Sequence, residues 1–350
     1  MKKKKIVFIV LLVVVLIIVA GYLIFAKQAK NKNNNSIVED DKMKGKNMTT
    51  EEKVNEKINN MTLEEKIGQM IIMSYRNPQM DDTLRSMLET VKPGGFILFS
   101  ENFEDYNQTN TLIKNIKSTS KIPMFMSIDQ EGGRVQRLKE LEGTDLTIIP
   151  AMSEIGISND ENLAYDTGKT IAKELNMFGI NMDFAPVIDI YSNPQNTVIG
   201  DRSFGDNATL VSKMGIALEK GLSDNNVIPV YKHFPGHGNT EVDSHYDLPV
   251  VTKSKKELLE SDVIPFKNAI DSGAKMIMTS FNILNGVPAT VNKWLIQDLL
   301  RKELKFKGVI ISDYGAIEET IAHGISEDEK HAALNAINAG VDIDMMSRIY

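Results

Sequence analysis

The 350-residue chain contains no cysteine. That absence excludes disulfide frameworks, thiolate nucleophiles, Cys-ligated zinc, iron–sulfur clusters and bacterial lipoprotein anchoring. It is compatible with any redox compartment. Charge is missing from one long stretch, since residues 6–26 carry no ionised side chain. With 42% hydrophobic, 25% charged and 7% aromatic residues, the chain can bury a sizeable core and is neither a disordered tail nor a small stapled scaffold.

The net charge of −7 conceals two populations. Residues 1–48 hold ten lysines against Glu39, Asp40 and Asp41, or +7, which leaves −14 for residues 49–350. A body of that sign argues against nucleic acid as a partner. Lys2–Lys5 precede Ile6–Ala26, a segment that as a helix spans about 30 Å, one hydrocarbon core. Residues 1–26 therefore read as a cytoplasmic lysine cluster and a transmembrane anchor, with membrane contact through residues 6–26. A cleaved signal peptide is the rival, but its apolar region is usually about 7–15 residues and no A-x-A site stands cleanly after Ile24. The lysine bias puts the start in the cytoplasm. The expected location is the cell membrane, single-pass, with the body extracellular; secretion after signal cleavage is the alternative. Residues 27–48, rich in Asn and Lys and without apolar periodicity, suit a flexible linker.

From residue 49 onward, short β-like runs alternate with stretches of helical length. Candidate strands are Met70–Tyr75, Gly95–Phe99, Pro123–Ile128, Asn181–Pro186, Ile228–Lys232, Lys275–Ser280, Gly308–Ser312 and Val341–Met345. Alternation of this kind predicts βαβ units and a parallel sheet, and eight units fit an α/β fold of the (β/α)8 TIM-barrel type better than a doubly wound sheet. Asp129, Asp189, His233, Asn282 and Asp313 each fall at or just after a strand end, where barrel enzymes gather their chemistry. No eighth helix follows Val341–Met345. Either a helix around Glu51–Met70 covers that gap or the barrel of residues 49–350 is truncated, and truncation is the expectation.

Three clusters carry candidate chemistry. The run Tyr231–Pro249 holds three of the five histidines. It reads as a hydrogen-bonded loop, as a metal site using His233, His237, Asp243 and His245, or as an acid/base centre. In the metal reading Pro235 and Gly236 keep His233 and His237 off one helical face. In the acid/base reading Asp243, two residues from His245, orients its imidazole. The run Asp129–Arg137 has the composition of a polyol clamp, against which stands a surface ion-pair cluster. Asp201–Gly205 reads as a plain turn or as the carrier of a further contact from Arg202. Finally, Gly308–Ala316 delivers Asp313 to a strand end, where it either caps the next helix or attacks an anomeric carbon.

Taken together, Asp129–Arg137, Phe184–Asp189 with Ile199–Phe204, and Lys232–Gly238 through Asp243–His245 resemble glycoside hydrolase family 3, most closely its β-N-acetylglucosaminidase branch. The resemblance runs from about Thr62 to the end. It implies a retaining exo-glycosidase that removes terminal β-linked N-acetylglucosamine from cell-wall fragments or amino-sugar oligosaccharides. It also implies Asp313 as nucleophile, His245 as acid/base with Asp243 as its partner, and Asp129, Arg137, Arg202, Lys232 and His233 as sugar contacts. No metal or organic cofactor is implied. Residues 279–288, 312–319 and 339–346 look more like the family's β-glucosidase branch. A β-glucosidase or β-xylosidase is therefore one alternative; a glycoside phosphorylase, since a histidine acid/base does not repel phosphate, and a non-catalytic wall-binding module, which the tether also suits, are the others.

Overall fold

The computed structural model describes residues 48–350 apart from 139, 140, 142, 240–249, 252 and 348. The expected anchor, almost all of the linker, and Asp243 and His245 lie outside the described residues. Among the described residues no helix is long and apolar enough to cross a membrane. The chain divides into two units, Met1–Met61 and Thr62–Tyr350.

In the first unit the helix Thr50–Asn59 opens on a capping box between Thr49 and Glu52 and buries none of its residues. The single helix expected around Glu51–Met70 is in fact two. Thr62 adopts extended backbone and, with Glu65, forms a second capping box that starts the helix Leu63–Gly68. An N-cap of this kind requires non-helical dihedrals, so a helix cannot run through Thr62.

The strands of the second unit are β1 (Ile71–Met73), β2 (Gly95–Leu98), β3 (Phe125–Ile128), β4 (Gln130–Gly132), β5 (Val135–Gln136), β6 (Met182–Asp183), β7 (Ile228–Pro229), β8 (Tyr231–Phe234), β9 (Val250–Val251), β10 (Met276–Thr279), β11 (Ile283–Leu284), β12 (Val287–Pro288), β13 (Val309–Ile311) and β14 (Asp344–Met345). Six pair in the order β14-β1-β2-β3-β6-β7 and three in the order β13-β10-β8. Every neighbour in both groups is parallel. β7 and β8 are separated only by Val230, whose N–H donates to the carbonyls of Asp183 and Ala185. Parallel bridges Val187–Lys232 and Ile311–Ile343 connect the two groups. The sheet is thus curled and parallel, and each of the eight candidate strands contributes to it. β4 and β5 form an antiparallel hairpin after β3, and β9, β11 and β12 form a small separate sheet.

Side chains on a strand alternate between faces, and here both faces are buried. Ile72, Ile97, Phe99, Met182, Phe184, Val230, Met276, Met278, Ile311 and Met345 pack together as one cluster. Their neighbours Met73, Phe96, Leu98, Met126, Ile128, Ile277 and Ile310 belong to the other cluster, which includes the helices. The latter supply stripes such as Leu84 and Leu88, or Leu112, Ile113 and Ile116. The helices Glu161–Met177 and Ala208–Ser223 approach closely at two glycines. A Cβ on Gly168 would lie 2.2 Å from the Leu218 carbonyl oxygen, and one on Gly221 would lie 2.1 Å from that of Tyr165. The segment Trp294–Glu303 between β12 and β13 is π-helical, an uncommon form at this length.

Candidate active site

At the carboxyl ends of the strands lies a cavity of about 430 Å³. Because parallel strands all deliver their following residues to the same edge, side chains distant in sequence converge there. Asp129, Arg137, Arg202, Lys232, His233 and Asp313 all line it. These are six of the eight sequence-derived site residues; Asp243 and His245 are the two outside the described residues.

Asp313 follows β13 and is largely buried. The Tyr314 N–H donates to its Oδ1 at 2.7 Å, and its Oδ2 lies 3.8 Å from Nε2 of His233. The other ring nitrogen of His233, Nδ1, lies 2.7 Å from Oδ2 of Asp189. Asp189 is fully buried and its Oδ1 also accepts the His237 N–H at 2.7 Å. Burial alone would raise the Asp189 pKa, but the charge and hydrogen bond of His233 outweigh it and hold the carboxyl below its ordinary value. His237 shifts down, first through burial and then through the charge of His233. Asn282 supports the same loop by donating its side-chain N–H to the Gly236 carbonyl at 2.6 Å.

A charged network forms another wall. Lys232 Nζ bridges Asp129 Oδ1 at 2.8 Å and Glu131 Oε1 at 2.5 Å. Arg202 grips Glu131 through two parallel contacts, Nε to Oε2 at 2.8 Å and Nη2 to Oε1 at 2.7 Å. Arg137 Nη2 lies 3.6 Å from Asp129 Oδ2. Burial by itself would raise the Glu131 pKa, yet the charges of Arg202 and Lys232 and their hydrogen bonds drive it well below the carboxylate range. Burial opposes the charge on Lys232, and Asp129 and Glu131 more than offset it, so its pKa rises. At neutral pH Glu131, Lys232 and Arg202 are ionised, and the wall is a fixed array of charge that presents donors and an acceptor to hydroxyls.

The hairpin β4–β5 sets this wall. Gly132 and Gly133 have φ of +102° and +54°, which glycine alone adopts without strain. Arg134, in the same turn, faces away and bonds Asp201 at 2.8 Å and the carbonyls of Thr197, Val198 and Ile199. The mouth carries Phe99 and Tyr314, edge to face at 6.0 Å between ring centroids. The Arg76 guanidinium stacks 4.6 Å from the Phe99 centroid.

Glu131 is not among the site residues read from the sequence, and Asp189 is read there only as a strand-end polar residue without a role, although both lie inside quoted motifs. The signal available was a carboxylate flanked by apolar or glycine neighbours, where burial demands a partner. Among the described residues no group of three or more His, Asp or Glu could hold a metal ion.

The glycosyl hydrolase family 3 N-terminal domain matches residues 62–350. The chain belongs to glycosyl hydrolase family 3. Among similar members, β-hexosaminidase A of Pseudoalteromonas piscicida is 36% identical over 286 residues, which cover 75% of this chain and 47% of that protein. A family 3 β-N-acetylglucosaminidase from Paenibacillus sp. str. FPU-7 superposes with a TM-score of 0.76 at 34% identity, covering 82% of this chain and 55% of that one. NagZ from Neisseria gonorrhoeae in complex with N-trifluoroacetyl-D-glucosamine superposes with a TM-score of 0.71 at 34% identity, covering 80% and 82%. The chain thus spans about half the length of the first two family 3 relatives and most of the third.

Proposed function

We propose that this family 3 protein is a retaining exo-β-N-acetylglucosaminidase acting through a covalent glycosyl-enzyme. The observation that carries this reading is Asp313, held by the Tyr314 N–H in a cavity whose other wall is the Asp129–Lys232–Glu131–Arg202 array. The names of the relatives point to the same sugar. An Asp313 oxygen attacks the anomeric carbon as the glycosidic C–O bond breaks, and His245 gives its proton to the departing oxygen. His245 then takes a proton from water, and the water oxygen displaces Asp313 to release the sugar with its configuration retained. Asp243 orients the His245 ring. Asp129, Arg137, Arg202, Lys232 and His233 hold the sugar's hydroxyls and acetamido group, and Asp189 fixes the orientation of His233.

The curled sheet is read as a (β/α)8 barrel, with residues 1–26 as membrane anchor and 27–48 as linker. The catalytic body then works outside the cell on cell-wall fragments or amino-sugar oligosaccharides. Hydrolysis of nitrophenyl N-acetylglucosaminide is expected to exceed that of nitrophenyl glucoside, with the β-anomer released first by NMR. A reversed preference assigns a β-glucosidase, an inverted product removes the covalent intermediate, and phosphate-dependent turnover assigns a phosphorylase.

A further inference from the structure

One buried carboxyl near the site has no part in the scheme above. Asp183, at the end of β6, has 0% of its surface exposed. Its Oδ1 accepts the backbone N–H of Gln130 at 2.9 Å. The Gln130 side chain continues the chain of contacts, since its Oε1 accepts the N–H of Arg137 at 2.9 Å and that of Leu138 at 3.3 Å. Gln130 is itself buried and stands between Asp129 and Glu131, the two carboxylates that meet Lys232. Its backbone therefore sets one side of the clamp, and its side chain sets the backbone of Arg137 on the other. A displacement at Gln130 would move both.

We propose that Asp183 is a positioning residue for sugar binding, which acts through Gln130 to hold Asp129, Glu131 and Arg137 in register across the cavity. The proposal rests on the sugar-binding roles given to Asp129 and Arg137 above. What Asp183 supplies is one acceptor oxygen at a fixed place. Among the described residues its Oδ2 has no hydrogen-bond partner, and burial pushes its carboxyl well above the ordinary range, which favours the neutral form. A third ionised carboxylate there would repel Asp129 and Glu131.

The function assigned to Asp183 separates it from a merely structural residue by two readouts. Asp183→Asn keeps the acceptor for the Gln130 N–H, so its KM for the best aryl glycoside should stay within about twofold of the wild type. Asp183→Leu removes the acceptor and keeps the branching at Cγ, so KM should rise about tenfold while kcat at saturation changes little. Should Asp183→Leu fail to fold, Gln130→Met decides, because it removes the carboxamide whose oxygen accepts from Arg137 and Leu138 and is expected to raise KM about fivefold or more. Equal damage from the Asn and Leu variants, or an unchanged KM in Leu or Met, overturns the proposal. The substrate is whichever aryl glycoside the wild type turns over. A wild type that prefers glucoside thus contradicts the N-acetylglucosamine reading without touching this one. If the wild type turns over none, the Kd of N-acetylglucosamine by calorimetry takes the place of KM, with the same fold-changes expected.

Discussion

Nε2 of His233 lies 3.8 Å from Oδ2 of Asp313, while Nδ1 of the same ring lies 2.7 Å from Oδ2 of Asp189. One imidazole thus stands between two carboxylates, one fully buried and one facing the cavity. With Asp189 accepting a hydrogen bond from the Nδ1–H, the ring turns its other nitrogen to the cavity and toward Arg202, whose Nη2 is 3.5 Å away. The ring is therefore oriented before any sugar enters, which lowers the cost of assembling the site.

Replacing Asp313 by Asn should reduce kcat by about 10³-fold or more, because a neutral amide is a poor nucleophile for the covalent step. Binding of N-acetylglucosamine should remain measurable by calorimetry. Turnover near the wild-type level would remove Asp313 from the nucleophile role.

The His245→Ala variant should discriminate among leaving groups. Loss is expected to be about 10²-fold or more with a poor leaving group and much smaller with a nitrophenolate, which departs without a proton. A uniform loss across an aryl glycoside series would argue against proton donation by His245.

Glu131 is nearly inaccessible and compensates two buried cations, Arg202 and Lys232. Its removal in Glu131→Ala leaves their charge partly unmatched and should cost about 3–5 kcal/mol of stability. The expected sign with pH follows from its depressed pKa. The stabilisation is complete above the unfolded value of about 4.3 and is lost as pH falls through the folded one. Chemical denaturation at neutral and acid pH tests both points, and a variant as stable as the wild type would contradict them.

His237 adds to the loss of stability on acidification. Its folded pKa is lowered by burial and by His233, so below about pH 6.5 the unfolded chain takes up a proton that the folded one refuses. Stability should therefore fall as pH drops below that value. In His237→Gln this portion of the fall should disappear from a series of thermal melts, and an identical pH slope would show that His237 does not carry it.

Helix propensity alone favours Gly168→Ala by about 1 kcal/mol. Contact with the Leu218 carbonyl, 2.2 Å from the added Cβ, predicts the reverse. The variant should be destabilised by about 1–3 kcal/mol, the usual range for overpacking. A higher melting temperature would show that the two helices can separate at little cost.

Much of this molecule is legible in its chain order. Strands buried on both faces become apolar runs, so Gly95–Leu98, Met276–Thr279 and Val309–Ile311 stand out without any knowledge of their partners. Asp129, His233 and Asp313 are visible for the same reason, as polar residues that interrupt or end such runs. The capping box at Thr62 and Glu65, which splits the expected helix, is a local signal as well. Local rules do not distinguish Asp129 from Glu131, which lies two residues further on in the hairpin.

By itself, the sequence determined the alternating units, the acidic body, the absence of thiol chemistry and the strand-end positions of the candidate acids and bases. Only the tertiary structure decided which of those groups are partners. Arg202 meets Glu131 across 71 positions and His233 meets Asp189 across 44, distances over which no periodicity carries information. Those pairings arise because the curled sheet brings its carboxyl ends to one cavity, where burial makes an unpaired charge too costly to keep.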